Sequence, residues 1–278
     1  MRTSNFAVNR LQNKASNGQM AVGENSMPAS MTGIIVKSAI YGLITIAATL
    51  ITYFIMNNAL ATGDADSLTV LLILAAVAGV PMFILSLVIG FVPRSVIVCG
   101  IIYTALQGVL LGVMVCVVDL FYPGISLVAV LGTGIVFVVA LLLNKVLEVR
   151  ISSGFLRGVI VALISLLLVS AITGIIYAIN PTFTAYWWIE IVISAVCIIL
   201  ATIMLMGDLQ SAEAIVAGGV DKSYEWNVSF AIVTTLIYIY VEILELLIRK
   251  SIVATLGETD RGSINMRAND RAIWSPES

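Results

Sequence analysis

Seven apolar runs, at roughly 33–59, 68–92, 95–118, 125–147, 156–179, 186–207 and 227–248, dominate the 278 residues of this chain. Each is about 20 residues or longer, the length at which an α-helix crosses the ~30 Å hydrocarbon core of a bilayer. Turn chemistry separates them: "ATGDADS" follows the first, Pro93 the second, "YPG" at 122–124 the third and "INPT" at 179–182 the fifth. Backbone in hydrocarbon must satisfy its own hydrogen bonds, so runs of this length read as helices. The composition agrees. Hydrophobic residues make up 60% and charged residues 11%, with a mean hydropathy of +1.08, whereas a soluble domain carries about 25% charged residues. The expected fold class is an all-α polytopic membrane protein, a seven-transmembrane-helix bundle, with one membrane domain over 31–250 and no room for a second, soluble one.

The flanking segments differ in kind. Residues 1–30 are rich in Asn, Ser and Gly, carry Arg2, Arg10 and Lys14 and lack hydrophobic periodicity, which predicts a flexible N-terminal tail. A cleaved signal peptide would place its apolar region nearer Met1. Residues 251–278 read as a polar C-terminal tail. Orientation follows from Lys and Arg, because cytoplasmic loops hold the positive charge. With the N-terminus cytoplasmic, the inner segments carry Lys37, Arg94, Lys145, Arg150, Arg157 and Lys222 in addition to the tail. The loops after the first, third and fifth runs carry no Lys or Arg. The seventh run leaves two readings open: it crosses, against the charge bias of Arg249, Lys250, Arg261, Arg267 and Arg271, or it is re-entrant.

The chain contains no histidine, which excludes a histidine triad, a His metal site and a His pH switch. Cys99, Cys116 and Cys197 lie far apart inside apolar stretches and read as small buried hydrophobes. A net charge of −2 and the absence of a basic stripe give no sign of nucleic-acid binding. Gly100, Thr104, Gly108 and Gly112 recur every four residues in the third run, a small-residue stripe that lets another helix approach closely.

Acids inside apolar runs carry the functional question. In the last run Thr235, Tyr238, Glu242, Glu245 and Arg249 are spaced three, four, three and four apart and share one helix face. A carboxylate facing lipid is costly, so this stripe is expected to face protein or a water-filled path. The competing reading has Glu245 and Arg249 snorkelling into the interface as an i,i+4 pair. In the sixth run Glu190 and Asp208 lie 18 residues apart, five turns, hence on one face and about 27 Å from each other. Ser194 and Cys197 continue that face. If the two helices are antiparallel neighbours, Asp208 falls near the inner surface and Glu190 near the depth of Glu242 and Glu245. The loop "DLQSAEAIVAGGVDKSYEW", with Glu213, Asp221, Lys222 and Glu225, reads as a solvated turn. It has neither EF-hand spacing nor a phosphate-cradling glycine pattern.

The segments "MRTSNFAVNRL", "IIYTALQGVLLGV", "FYPGISLVAVLGT" and "GGVDKSYEWNVSFAIVTTLIYIYVEILELL" occur in that order. Together they resemble the bacterial YccA-like branch of the Bax inhibitor family of membrane proteins, from the N-terminal tail to about Leu247. The resemblance implies two groups of three helices around a central last helix, a bacterial plasma (inner) membrane location, and a calcium leak controlled by pH through paired aspartates on helices six and seven. Asp208 matches the helix-six aspartate. The place of the helix-seven aspartate falls at about Thr235, which cannot form a proton-sharing carboxylate pair. Asp208 would then latch onto a cation, Arg94 being the candidate.

The leading expectation is a pH-sensitive, channel-like cation leak. Asp208, Glu242, Glu245, Glu190, Thr235 and Arg94 would line or gate the path, and Glu242 and Glu190 would act as transient ligands of Ca²⁺ as the permeant ion. No cofactor and no enzymatic activity are expected. The alternative from another class is a non-transporting regulatory protein that binds membrane proteases or other membrane proteins and uses its acids for packing. In either case the lipid bilayer is a partner.

Overall fold

The computed structural model describes residues 27–92, 95–146, 150–179 and 187–273, the stretch 252–273 as backbone. Among the described residues the chain forms seven helices: α1 (Met31–Thr62), α2 (Ala65–Phe91), α3 (Val96–Phe121), α4 (Ile125–Lys145), α5 (Ser153–Ile179), α6 (Trp187–Ala217) and α7 (Tyr224–Ile273). Six contain stretches long and apolar enough to cross a membrane, and α5 contributes the shorter apolar segment Gly154–Ser170. The all-helical polytopic bundle expected from the seven runs is what forms.

Local chemistry sets the boundaries. Ser30 caps α1, its side chain accepting from the Gly33 N–H at 3.0 Å, which satisfies one of the orphan donors of a helix start. Gly63 ends α1 in the left-handed region at φ 70°, and Gly124 reverses the chain between α3 and α4 at φ 85°. Two helices depart from the apolar runs. α6 continues about ten residues past 207, to Ala217, so half of the expected loop is helical. The reason is a buried face: Leu209, Ala212 and Ile215, spaced three apart, pack into the core with Val228 and Ile232 of α7. The turn proper is confined to 218–223, with Gly219 at φ 59°. α7 runs unbroken to Ile273, and its apolar part, Tyr224–Ser251, has the length of a crossing helix rather than of a re-entrant one.

α7 is the axis of the bundle. It packs against α1, α3, α4 and α6. α1, α2 and α3 touch one another, and α6 touches both α4 and α5, giving two groups of three around the last helix. Large apolar side chains such as Ile35, Phe54, Phe83, Leu131 and Leu167 point outward. That is the expected arrangement where the surrounding solvent is hydrocarbon.

Small residues bring α1 and α3 together. A Cβ added at Gly108 would meet the Thr45 carbonyl and Ala48, and one at Gly112 would meet Thr52. The close approach permits interhelical hydrogen bonds: Tyr41 donates to the Val96 carbonyl at 2.8 Å, Thr45 to that of Thr104 at 3.3 Å, and Thr49 to that of Gly108 at 3.1 Å. Packing and such bonds, rather than a hydrophobic driving force, hold helices together in lipid. Tyr41, fully buried, also packs edge-on against Trp226 and Phe230, so the α1–α3 seam registers on α7. We predict that Gly108→Val lowers stability by about 1–3 kcal/mol through overpacking against backbone. Gly79→Ala, whose added Cβ meets open space, should leave stability unchanged or raise it by about 0.5–1 kcal/mol. Thermal unfolding of the two variants in detergent micelles checks both.

Candidate functional site

The polar residues of α7 meet partners from α1 at the helix start and from α6 along most of its length. Because α6 and α7 are joined by a short turn they run antiparallel, and their facing polar groups form successive rungs. Measured from Tyr224, the rungs at Thr235, Glu242 and Arg249 stand about 16, 27 and 37 Å along the α7 axis.

At the start of α7 lies a group the sequence reading had placed in a solvated turn. Glu225 is fully buried. Its carboxylate accepts from Lys37 Nζ at 2.6 Å and from the Ser30 N–H at 2.7 Å. Lys37 also donates to the Lys222 carbonyl at 3.2 Å and stands over the Trp226 ring at 5.0 Å. The chain before α1 joins the same clamp: Ala29 N–H donates to the Val220 carbonyl at 2.8 Å, and Lys222 N–H to that of Met27 at 3.1 Å. Gly33 abuts the Glu225 carboxylate so closely that any Cβ there would collide with it. The available signals were an acid one residue into the last helix, in Tyr224-Glu225-Trp226, and a lysine two turns into the first.

The next rung joins two of the expected site residues. Thr235 Oγ1 donates to Asp208 Oδ2 at 2.7 Å. Thr235 is buried and Asp208 partly so. Among the described residues no Lys or Arg pairs with Asp208, and Arg94, the expected latch partner, lies outside the described residues. The Thr235 hydroxyl can donate to an ionised carboxylate or accept from a protonated one, so the contact tolerates either charge state.

Halfway along, Glu242 is half-buried, and the polar side chains that act on its carboxyl are Tyr238, one turn earlier on α7, and the buried Cys197 of α6. Glu245 and Arg249 are the charges that act on it. At the far end the Arg249 guanidinium reaches acceptors on both α6 and α7. Nη1 donates to the Glu190 carbonyl at 3.0 Å and to the buried Ser194 hydroxyl, Nη2 donates to Glu245 at 3.2 Å, and Nε lies 3.7 Å from the Glu190 carboxylate. The structure thus brings Glu190, Glu245 and Arg249 into one cluster, with Glu242 a turn away. The i,i+4 pair expected from spacing is present, and the bridge from Arg249 to α6 was not visible in the sequence because it depends on which helix lies opposite. Among the described residues, no group of three or more Asp, Glu or Cys side chains is disposed to hold a metal ion.

A separate polar knot ties the other end of α6 to α4. Asn144 donates to Glu213 at 2.9 Å, Arg150 lies 3.6 Å from the same carboxylate, and Gln210 accepts from the Ile151 N–H at 3.1 Å. It ties Arg150 and Ile151 to α6 and leaves the α6–α7 face to Asp208.

Lys37→Met should cost about 3–5 kcal/mol, because it strands a buried carboxylate. Lys222→Met, at an exposed side chain, should cost less than about 0.5 kcal/mol. The combined change Lys37→Met with Glu225→Gln should recover much of the loss. Melting temperatures of the purified variants decide the order.

The family profile described as Bax inhibitor 1 like matches residues 4–251. No curated protein and no solved structure matches the chain.

Proposed function

Because the chain belongs to the Bax inhibitor 1-like family over most of its length, we propose that it is a pH-sensitive, channel-like leak for a cation, in the YccA-like branch of that family. It would act in a bacterial plasma membrane with its N-terminus cytoplasmic. Ca²⁺ is the cation proposed, since hard divalent ions prefer carboxylate and carbonyl oxygens.

The observation that carries this reading is the single polar face between α6 and α7, with Asp208, Glu242, Glu245 and Glu190 spread along it. Acids within membrane helices are expensive and mark pathways or relays. Acids strung along one interface offer weak, successive sites of the kind a leak requires, binding well enough to admit an ion and loosely enough to release it. Asp208, held by the neutral Thr235 hydroxyl, is the closing group on the Tyr224 side. Two carboxylates at the same spacing could not both ionise and would share a proton, whereas the Thr235 hydroxyl holds Asp208 by a single hydrogen bond.

One observation favours a second reading. Arg249 pairs with both Glu190 and Glu245, as internal packing in a non-transporting regulatory protein would use them. Ca²⁺ flux in liposomes carrying the purified full-length chain separates the two. The leak reading expects flux above protein-free liposomes, and flux at the protein-free level overturns it.

Within the leak reading, Thr235→Val removes the donor to Asp208 and should raise flux by about tenfold or more, the scale of one hydrogen bond to a charged group. Thr235→Asp would place a proton-sharing carboxylate pair there and should move the pH at which flux changes upward, toward neutral. Equal flux in the wild type, Thr235→Val and Asp208→Asn at every pH would remove Asp208 from the closure.

A further inference from the structure

We propose that Arg249 is a tethered cation that locks the far end of the α6–α7 face: its guanidinium sits where the Glu190 and Glu245 carboxylates converge and holds the first turns of α6 against α7. This lock rests on the leak reading for its effect on flux, but not for its effect on the helix interface.

A guanidinium presents donors in a rigid planar fork. Here that fork reaches three acceptors: the Glu190 main-chain carbonyl, the Ser194 hydroxyl and the Glu245 carboxylate, with the Glu190 carboxylate 3.7 Å from Nε. Two of these acceptors belong to the α6 backbone or to a buried α6 side chain, so the contact is directional and spans two helices. An arginine that only snorkelled would have no need of a main-chain carbonyl and a buried hydroxyl on a neighbouring helix.

Charge gives the consequence. Glu190 and Glu245 together carry two formal negative charges, and Arg249 cancels one of them in place. A mobile cation arriving between these carboxylates must displace a positive group covalently attached to α7, which cannot diffuse away. Binding there is therefore weak and intermittent while the lock holds. Below it, Cys197 and Tyr238 surround Glu242, and Cys197 is only 3% exposed. Opening the end of the interface uncovers that thiol, which gives a report on the lock independent of ion movement.

The test uses the full-length chain with Cys99→Ala and Cys116→Ala, so that Cys197 is the remaining thiol. Two quantities are read: the rate of Cys197 modification by a small water-soluble maleimide, and Ca²⁺ flux in liposomes. Arg249→Gln should raise both, the labelling rate by about tenfold, the size of one charge-assisted hydrogen bond. Arg249→Lys keeps the charge but loses the fork and should fall between Arg249→Gln and the parent; it also serves if the glutamine variant does not fold. Ser194→Ala, which removes one acceptor, should raise labelling by a smaller factor. Faster labelling with no flux in any protein would support the lock and overturn the leak reading. Labelling equal to the parent in both Arg249→Gln and Arg249→Lys would overturn the lock, whatever the flux.

Discussion

A polar group inside a bilayer must find its partner in the protein, because the surrounding hydrocarbon offers none. α7 carries Glu225, Thr235, Tyr238, Glu242, Glu245 and Arg249 within its apolar length, and this requirement explains why it is the axis of the bundle. A helix at the rim would have to turn part of that set toward lipid. In the centre, Lys37 and Ser30 at the α1 end answer Glu225, Asp208 answers Thr235, Cys197 answers Glu242, and the Glu190 and Ser194 region answers Arg249. The other contacts of the fold follow from the need to bring both α1 and α6 against this one helix.

The two halves of the bundle meet that need by different means. α1 and α3 are joined by close backbone approach over Gly108 and Gly112, reinforced by threonine and tyrosine hydroxyls that donate to carbonyls of the opposing helix. α6 meets α7 through side chains: an apolar core of Ala201, Leu205, Ile232 and Ile239 with polar rungs between. The first kind of contact is short-range and stiff, since Gly108 and Gly112 leave no room for an added side chain. The second is an interface where polar and charged groups alternate with apolar ones.

Glu225 illustrates how burial changes the meaning of a residue. In the sequence it stands among Asp221, Lys222 and Ser223, company that reads as solvent-exposed. In the fold it is enclosed by Ser30, Gly33 and Lys37, residues almost two hundred positions away. Leaving a carboxylate there without Lys37 would cost several kcal/mol, so the pair fixes the start of α7 to the start of α1. The chain immediately before α1 is drawn into the same place through Met27 and Ala29. The cytoplasmic-tail expectation thus covers a segment whose last few residues are structural.

The sequence by itself determined the helices, the environment they fold in, and the stripes on α3, α6 and α7, because run length, hydropathy and a 3.6-residue period are local properties that survive without knowledge of neighbours. Tertiary structure alone decided which stripe met which. That Gly108 faces Thr45, that Thr235 reaches Asp208, that Arg249 bridges to Glu190 and Ser194 instead of serving only Glu245, and that Glu225 is buried at all depend on helix rotation and register between segments distant in the chain. Sequence spacing sets a face relative to its own helix axis. Only packing sets that axis relative to another, and charge compensation in a medium without water is decided between axes.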